Sequence, residues 1–159
     1  MHKKIKKLND LENIVEEDKK RNEKIVFTNG CFDLIHVGHI RYLYQAKNFG
    51  DKLIVAVNSD SSVKKLKGDN RPIINESERL ELLSALEMID YIILFHELNC
   101  KNLLNSIKPD IYVKGGDYTL DTLPEWSVVK EYGGIVKLVD EIEGKSTSAL
   151  IEKIAKIKN

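Results

Sequence analysis

Residues 28–39 of the chain read Thr-Asn-Gly-Cys-Phe-Asp-Leu-Ile-His-Val-Gly-His, between an apolar run and a helical pattern. The run before them, residues 24–28, is β-branched and aromatic, which predicts a buried strand. Two histidines three residues apart, His36 and His39, stand where the next helix is predicted to begin. The N–H groups and the dipole of a helix N-terminus favour an anion. The stretch therefore predicts an anion site, most plausibly for a nucleotide phosphate.

The remaining side chains of this stretch have separate expected roles. Gly30 is expected to permit a tight exit from the strand, and Gly38 to let a ligand or a neighbouring backbone approach closely. Asp33 is expected to orient the turn, or a histidine through its ring N–H, rather than to act as a base. Zinc needs at least three protein ligands, and only Asp33 and Cys31 lie near the two histidines in sequence, so a zinc site is not favoured.

The composition favours a single small domain without a membrane or nucleic-acid partner. The 159 residues contain 25 Lys plus Arg and 25 Asp plus Glu, so the overall basic field that binds nucleic acid is missing. Cys31 and Cys100 lie far apart, which indicates no disulfide framework. A membrane span needs ~20 apolar residues, and no such run occurs. We expect a cytoplasmic protein.

The rest of the chain alternates short apolar runs with helical patterns. Residues 3–22 predict an amphipathic helix packed on a domain that covers residues 23–159. Residues 61–74 are rich in lysine and are predicted to form a basic, mobile loop. The other predicted elements are helices at 37–48, 76–88, 101–107 and 126–131, strands at 53–57, 91–95, 111–113 and 135–139, and a last helix capped by Ser146 or Thr147 that runs to about residue 156.

Alternating strands and helices predict an α/β fold, a Rossmann-like three-layer sandwich with a five-stranded parallel sheet. Ligands of such sheets bind beyond the carboxyl ends of the strands, where the strand order switches. Four segments follow strands one, two, four and five: residues 30–39, Asp60 with the lysine-rich segment, residues 115–118 and residues 144–148. These segments are therefore expected to share one crevice.

The opening stretch resembles the Gly-x-Phe-Asp-x-x-His-x-Gly-His signature of the cytidylyltransferase-like nucleotidyltransferases. Every specified position matches: Gly30, Phe32, Asp33, His36, Gly38 and His39. The resemblance extends over residues 24–156, and residues 144–148 are similar to the second signature of that superfamily, Gly-x-Ser-Thr-Thr. Ser148 replaces the second threonine and keeps its hydroxyl.

Within this superfamily, residues 27–33, 66–72 and 113–118 are most similar to the adenylyltransferases of D-glycero-D-manno-heptose 1-phosphate, which make ADP-heptose. The glycerol-phosphate cytidylyltransferases carry an arginine before the second signature, where this chain has Glu141. A CTP-dependent enzyme acting on glycerol 3-phosphate or a similar polyol phosphate is the alternative. Residues 123–126, Leu-Pro-Glu-Trp, depart from the small residues usual in relatives, which leaves their acceptor-side or dimer contacts open.

The resemblance implies in-line attack of a sugar-phosphate oxygen on the α-phosphorus of ATP, with pyrophosphate leaving and no covalent intermediate. His36 and His39 would hold the α-phosphate and the leaving oxygen, and Lys67 would neutralise phosphate charge as its loop closes. The residues implied to bind the nucleotide are Asn29, Gly30, Cys31, Phe32, Asp33, Gly38, Arg79, Gly115, Asp117, Lys145, Ser146, Thr147 and Ser148.

The resemblance also implies partners for the site. Mg²⁺ would arrive with the triphosphate and be held mainly by substrate oxygens and water, with no fixed set of protein ligands. A homodimer is expected, and a separate sugar kinase would supply the sugar phosphate.

Four alternative interpretations accompany this reading. Arg79 is read either as a residue that supports the site or as an exposed helical partner of Asn75 or Leu83. Cys31 is expected to be a small residue beside the nucleotide rather than a nucleophile, because no base partner is evident. A regulatory nucleotide-binding module without catalysis is the alternative from another class. A receiver-like signalling domain would need clustered acidic residues after strand one, where Asp33 stands alone.

Overall fold

A five-stranded, all-parallel sheet in the order β3-β2-β1-β4-β5 forms the centre of the computed structural model, which describes residues 2–116, 118–139 and 147–157. The strand order changes direction between β1 and β4, so a crevice is expected at their carboxyl ends. The strands are β1 (Ile25–Gly30), β2 (Lys52–Asn58), β3 (Tyr91–Phe95), β4 (Ile111–Gly115) and β5 (Ile135–Val139).

Helices cover both faces of this sheet, which confirms the predicted three-layer Rossmann-like fold. They are α1 (Leu8–Lys20), α2 (Val37–Lys47), α3 (Asp60–Lys67), α4 (Glu76–Ser84), α5 (Lys101–Ile107), α6 (Trp126–Glu131) and α7 (Thr147–Ile157). Phe27 of β1 packs in a core with α1, α5 and α6, whereas its neighbour Val26 packs in a second core with α2 and α4. Successive strand residues point to opposite faces, so both neighbours are fully buried.

The chain before residue 8 differs from the predicted helix over residues 3–22. A 3₁₀ turn covers His2–Lys4, and Ile5 forms an isolated parallel bridge with Ile92 of β3. The Lys6 N–H donates to the Ile92 carbonyl at 2.8 Å. Ile5 packs against the core with α2 and α4, whereas Leu11 of α1 lies in the opposite core. One continuous helix could not reach both faces of the sheet, which explains why α1 begins only at Leu8.

The predicted mobile loop over residues 61–74 is wrong for its first half, because residues 60–67 form α3. The Ser59 hydroxyl caps this helix by accepting the Ser62 N–H at 3.3 Å. The Ser62 hydroxyl donates to the Glu97 carbonyl at 2.8 Å, and Val63 is fully buried. The lysines occupy the exposed side of a packed helix. The lysine-rich composition alone therefore did not indicate the Ser59 cap or the buried face of α3.

The remaining elements follow the predictions closely. The helix predicted over residues 76–88 ends at Ser84, four residues early, and the other strand and helix bounds differ by no more than a few residues. Within the described ranges, no helix is both long and apolar enough to cross a membrane.

Candidate nucleotide site

A cavity of about 830 Å³ lies at the carboxyl ends of β1 and β4, where the strand order switches. It receives residues from the β1–α2 loop, α2, the end of α3, the end of β4 and the start of α7. The predicted site residues that line it are Asn29, Gly30, Cys31, Phe32, Asp33, His36, Gly38, His39, Lys67, Gly115, Thr147 and Ser148. The structure therefore brings segments separated by more than a hundred residues to one place.

Among the predicted residues that the structure describes, Arg79 does not line this cavity. Arg79 lies behind its wall, fully buried. Asp117, Lys145 and Ser146 fall outside the described residues, as does Glu141.

The turn out of β1 depends on Phe32 rather than on the backbone freedom of Gly30. Phe32 adopts a left-handed conformation, with φ of 48°, while its ring is buried. The ring lies over Gly30, where an added Cβ would come within 3.0 Å of it. Gly30 is therefore needed for this close approach. Phe32, and not Gly30 as predicted, makes the tight exit from the strand.

The two histidines are oriented by the backbone of their own helix. His36 is the N-cap of α2, and its Nδ1 accepts the Gly38 N–H at 3.1 Å. The Nδ1 of His39 accepts the His36 N–H at 3.4 Å. A neutral imidazole that accepts at Nδ1 carries its proton on Nε2. In a neutral ring, these capping bonds therefore place the N–H donor on Nε2, and an anion requires such a donor.

His39 is held neutral at physiological pH. Its ring lies 3.9 Å from the ring of His36 and 5.5 Å from that of Phe32, centroid to centroid. Burial, and then the nearby His36, lower the pKa of His39 to about 4. The free site thus contains a neutral hydrogen-bond donor that a bound anion would convert toward the charged imidazolium.

Tyr42, one turn after His39, holds α2 to the adjacent strands β1 and β4. Its hydroxyl lies 2.6 Å from the Thr28 hydroxyl of β1 and donates to the Val113 carbonyl of β4 at 3.1 Å. Its ring occupies the space beside Gly115, where an added Cβ would lie 2.9 Å away. Gly115 therefore serves the site by admitting this ring.

Asp33 anchors the segment after α3 and orients no histidine. Its Oδ1 accepts the N–H groups of Ile73 at 2.8 Å and Ile74 at 2.9 Å, and its Oδ2 accepts Arg71 Nε at 2.6 Å. Burial of this carboxyl opposes ionisation, but the bonds from Ile74, Ile73 and Arg71 outweigh it and hold the pKa of Asp33 below its usual value. Asp33 therefore shapes the turn, as expected, through partners about forty residues away.

Arg79 joins three loops beneath the site. Its guanidinium donates to the Cys31 carbonyl, to the Ile74 carbonyl at 3.0 Å and to Asp60 Oδ1 at 2.8 Å. The alternative of an exposed helical partner is therefore wrong, since this side chain is fully buried. Asp60, expected in the crevice, is instead the ion-pair partner of Arg79. Arg79 positions the loop after β1 and lies too deep to line the cavity.

Cys31 and Lys67 both line the cavity. Burial raises the pKa of the Cys31 thiol, against the opposing charges of Lys67, Arg79 and Arg71. A thiol kept protonated is a poor nucleophile, which supports the interpretation of Cys31 as a small wall residue. Lys67 is exposed at the end of α3, and no carboxylate in the described part of the chain lies within 4.0 Å of its Nζ.

The second helix N-terminus at the cavity is that of α7. Thr147, its first residue, donates through Oγ1 to the Leu34 carbonyl of the β1–α2 loop at 3.5 Å. Thr147 and Ser148 both line the cavity. The N-terminal ends of α2 and α7 therefore converge on the same space, and both favour an anion there.

The sequence analysis missed a second group of lining residues, on the α5 and α6 side of the sheet. These residues are Leu98, Asn99, Lys114, Pro124 and Glu125. Residues 98–99 follow β3 and obey the same carboxyl-end rule that identified the other segments. Pro124 and Glu125 belong to the segment already noted as a departure from the relatives. Tyr42, Gln45, Asn58, Leu66, Arg71, Gly116 and Tyr118 complete the lining.

The cavity offers little to a metal ion by itself. Among the described residues, no group of three His, Cys, Asp or Glu side chains is placed to hold one. Asp33 and Glu125 are the carboxylates that line the described cavity, and both oxygens of Asp33 are engaged in protein hydrogen bonds. This donor set fits a cation that is brought by phosphate oxygens and retains its water.

Comparison with known proteins agrees with this geometry. A family model described as cytidylyltransferase-like matches residues 27–155. The bifunctional protein HldE of Geobacter metallireducens is 51% identical over 151 residues, which cover 95% of this chain and 31% of that protein. The chain spans about a third of the length of the curated relatives it matches.

Two solved structures are also similar. The lipopolysaccharide core biosynthesis protein of Thermoplasma volcanium is 36% identical with a TM-score of 0.62, over 76% of this chain and 97% of that one. Pantoate-beta-alanine ligase of Francisella tularensis, solved with beta-gamma ATP and beta-alanine, has a TM-score of 0.61 at 15% identity, over 91% of this chain and 68% of its own. The second likeness shows the fold alone.

We predict that the His39 imidazole titrates near pH 4 in the free protein, because burial and His36 disfavour its charged form. Adding ATP without an acceptor should raise this midpoint, since a nearby phosphate favours the imidazolium. NMR of the imidazole protons measures both values, with the signal assigned by its loss in His39→Gln. A free-protein midpoint near 6.5 would contradict the neutral state of His39 derived above.

We predict that Asp33→Asn lowers the free energy of unfolding by about 2–4 kcal/mol at pH 7, because it weakens three hydrogen bonds to a buried carboxylate. The folded pKa lies below 3.8, so the difference from wild type should hold from pH 8 to 5 and shrink only at lower pH. Urea unfolding measures it. Asp69→Asn is the control, since that side chain is 90% exposed.

Proposed function

The chain belongs to the cytidylyltransferase-like family, and from this we propose that it is a nucleotidyltransferase that transfers AMP from ATP to a sugar phosphate. We propose D-glycero-D-manno-heptose 1-phosphate as the acceptor, with ADP-heptose and pyrophosphate as the products. The observation that carries the proposal is the convergence of two helix N-termini and two histidine side chains on one cavity.

The choice of acceptor rests on the relatives. The matched region of the HldE protein and the Thermoplasma lipopolysaccharide protein support the heptose branch over a CTP-dependent polyol-phosphate enzyme. The segments over residues 66–72 and 113–118, which carried the resemblance to heptose adenylyltransferases, lie partly in the cavity wall: Leu66, Lys67, Arg71 and residues 114–116 all line it.

The proposed reaction is a single in-line displacement. An ionised oxygen of the acceptor phosphate attacks the α-phosphorus of ATP, the bond from that phosphorus to the β-bridging oxygen breaks, and pyrophosphate leaves with the electron pair. The attacking oxygen carries no proton at neutral pH, so the reaction needs no general base. Catalysis then consists of positioning and charge stabilisation.

The histidines would act on the α-phosphate and the leaving oxygen. Both rings already present Nε2–H, because the backbone of α2 occupies Nδ1 of His36 and of His39. No reorientation is needed when negative charge develops on the bridging oxygen. The lowered pKa of His39 would rise as the phosphate binds, which strengthens its hydrogen bond at the transition state.

The remaining negative charge of the triphosphate would be stabilised by the N-terminus of α7 and by lysine side chains. Thr147 and Ser148, at the start of α7, would receive the β- and γ-phosphates through hydroxyls and the helix N-terminus. Lys67 would approach the phosphates from the end of α3. Mg²⁺ would enter with the triphosphate and offset its charge, held by phosphate oxygens and water.

Upstream, a sugar kinase reaction would have to make the acceptor. We place the adenylyl transfer in the cytoplasm, where ATP is available.

We predict pyrophosphate release from ATP with D-glycero-D-manno-heptose 1-phosphate, and at least a hundredfold lower kcat/KM for CTP with glycerol 3-phosphate. A coupled pyrophosphate assay with each nucleotide against each acceptor measures this preference. Turnover confined to CTP and glycerol 3-phosphate would transfer the chain to the polyol-phosphate branch.

The same assay separates a catalyst from a nucleotide sensor. His39→Ala should lower kcat by roughly 10³-fold while ATP binding, followed by calorimetry, stays within a few-fold. His96→Ala is the matched control, because His96 is an exposed histidine that does not line the cavity. Equal activity of His39→Ala and wild type would overturn the assigned role.

We further propose a homodimer. Its support is exposed apolar surface on β5 and α7, where Leu138 is 40%, Ile154 61% and Ile157 77% exposed. Sedimentation velocity should give twice the mass of the chain, and Ile154→Glu should shift it toward monomer. Leu82→Glu, at an exposed position on α4, is the control. A monomeric wild type at working concentration would rule the dimer out.

A further inference from the structure

Glu125 has a buried carboxylate oxygen that the described protein leaves unpaired. The residue is 3% exposed and lines the cavity beside Pro124. Its Oε1 accepts the Cys100 N–H at 3.5 Å and lies 3.7 Å from the Cys100 thiol. Its Oε2 is buried and has no hydrogen-bond partner among the described residues. A buried acceptor without a donor is unfavourable, and because Glu125 lines the cavity, a ligand bound there could supply the donor.

This carboxylate lies at the end of the cavity away from the phosphate site. Cys100 and Leu123 belong to the core formed with α1, α5 and α6, whereas Phe32 and the residues of α2 belong to the opposite core. The crevice therefore extends from the histidines on one face of the sheet to Glu125 on the other.

The polar residues between the two ends form a connected group. Asn29 Oδ1 accepts the Tyr112 hydroxyl at 2.8 Å and Lys114 Nζ at 3.2 Å. The Tyr112 hydroxyl is 3.7 Å from the Cys100 thiol, which also contacts Glu125. These contacts fix the polar floor between the histidines and Glu125. They also hold the positive charge of Lys114 between the two ends of the crevice.

The chemistry of a carboxylate limits what Oε2 can bind. A carboxylate accepts hydrogen bonds and repels a phosphate oxygen, so the phosphate end of an acceptor would turn away from Glu125. A carboxylate could also act as a base, but an attacking phosphate oxygen is already ionised. A neutral hydroxyl group donates a hydrogen bond and is not repelled by a carboxylate, so it suits Oε2.

We propose that Glu125 is a specificity-determining residue that accepts hydrogen bonds from hydroxyl groups of the acceptor, and so selects a polyhydroxylated phosphate ester in one orientation. This inference rests on the proposed transfer reaction for its substrate. The acceptor phosphate lies toward the histidines, and its hydroxyl-bearing end lies against Glu125.

The test compares Glu125→Gln with wild type, and uses Glu131→Gln as the matched control, because Glu131 is an exposed glutamate at the end of α6, the helix that Glu125 precedes. Glu125→Gln should raise the KM for the heptose phosphate about tenfold or more, with the KM for ATP unchanged within twofold. Glu131→Gln should match wild type. Equal effects on both substrates, or a changed Mg²⁺ dependence with an unchanged acceptor KM, would overturn the proposal.

A binding measurement separates recognition from a general disturbance of the fold. Calorimetry gives the affinities of α-D-mannose 1-phosphate and of cyclohexyl phosphate, a ring of similar size without hydroxyls. Wild type should prefer the hexose phosphate, and Glu125→Gln should reduce this preference about tenfold by weakening the hexose phosphate alone. An unchanged ratio would contradict the role of Glu125, because a structural defect weakens both ligands alike.

Wild-type protein alone supplies a further arm in case Glu125→Gln does not fold. Removal of single hydroxyls from the hexose phosphate should weaken binding about tenfold at one position or more, and uniform binding of all deoxy analogues would refute the proposal. If none of the acceptors is turned over, the proposed reaction fails. The binding ratio still decides the role of Glu125.

Discussion

Two buried charged side chains, the carboxylate of Asp33 and the guanidinium of Arg79, hold the walls of the cavity together. Asp33 binds the backbone after α3, and Arg79 binds the Cys31 carbonyl in the loop after β1. Each of these groups has three hydrogen-bond partners, which offsets the cost of removing a charge from water. Their bonds link the loop after β1 to the start of α3 and to the segment after it. The position of Lys67 relative to the histidines therefore depends on interactions that lie below the cavity surface.

Backbone hydrogen bonds orient both histidine rings before any ligand is present. A histidine in water exchanges freely between tautomers, and near neutral pH it is partly charged. Here the first turn of α2 occupies Nδ1 of both rings, and burial keeps His39 neutral. Phe32 contributes by accepting a left-handed backbone and placing its ring against His39. The signature sequence thus encodes a prepared pair of donors, because each of its members acts on its immediate neighbours.

Because the residues of the signature act on their neighbours in sequence, this part of the structure could be predicted from the sequence. Strands buried on both faces are continuous apolar runs, and the histidine helix follows one of them, so the sheet and the phosphate end of the cavity were predictable. The N-terminal segment was not, since Ile5 and Leu11 pack on opposite faces of the sheet. α3 was not predicted, because its lysine-rich composition was interpreted as a loop and the Ser59 cap was not recognised. Except for Ile74, which is five residues from Arg79, the partners of Asp33 and Arg79 lie about twenty to fifty residues away, and no local pattern specifies such pairs.

The two ends of the cavity differ in the same way. The end of the cavity that we propose to bind phosphate combines the N-termini of α2 and α7 with the two histidines of α2. The opposite end is assembled from side chains that follow β3 and precede α6, with Asn29 and Lys114 between them. Loops that follow different strands can change independently while the sheet is conserved in shape. We therefore expect nucleotide chemistry to depend on the signature, and the proposed choice of acceptor to depend on the long-range half of the site.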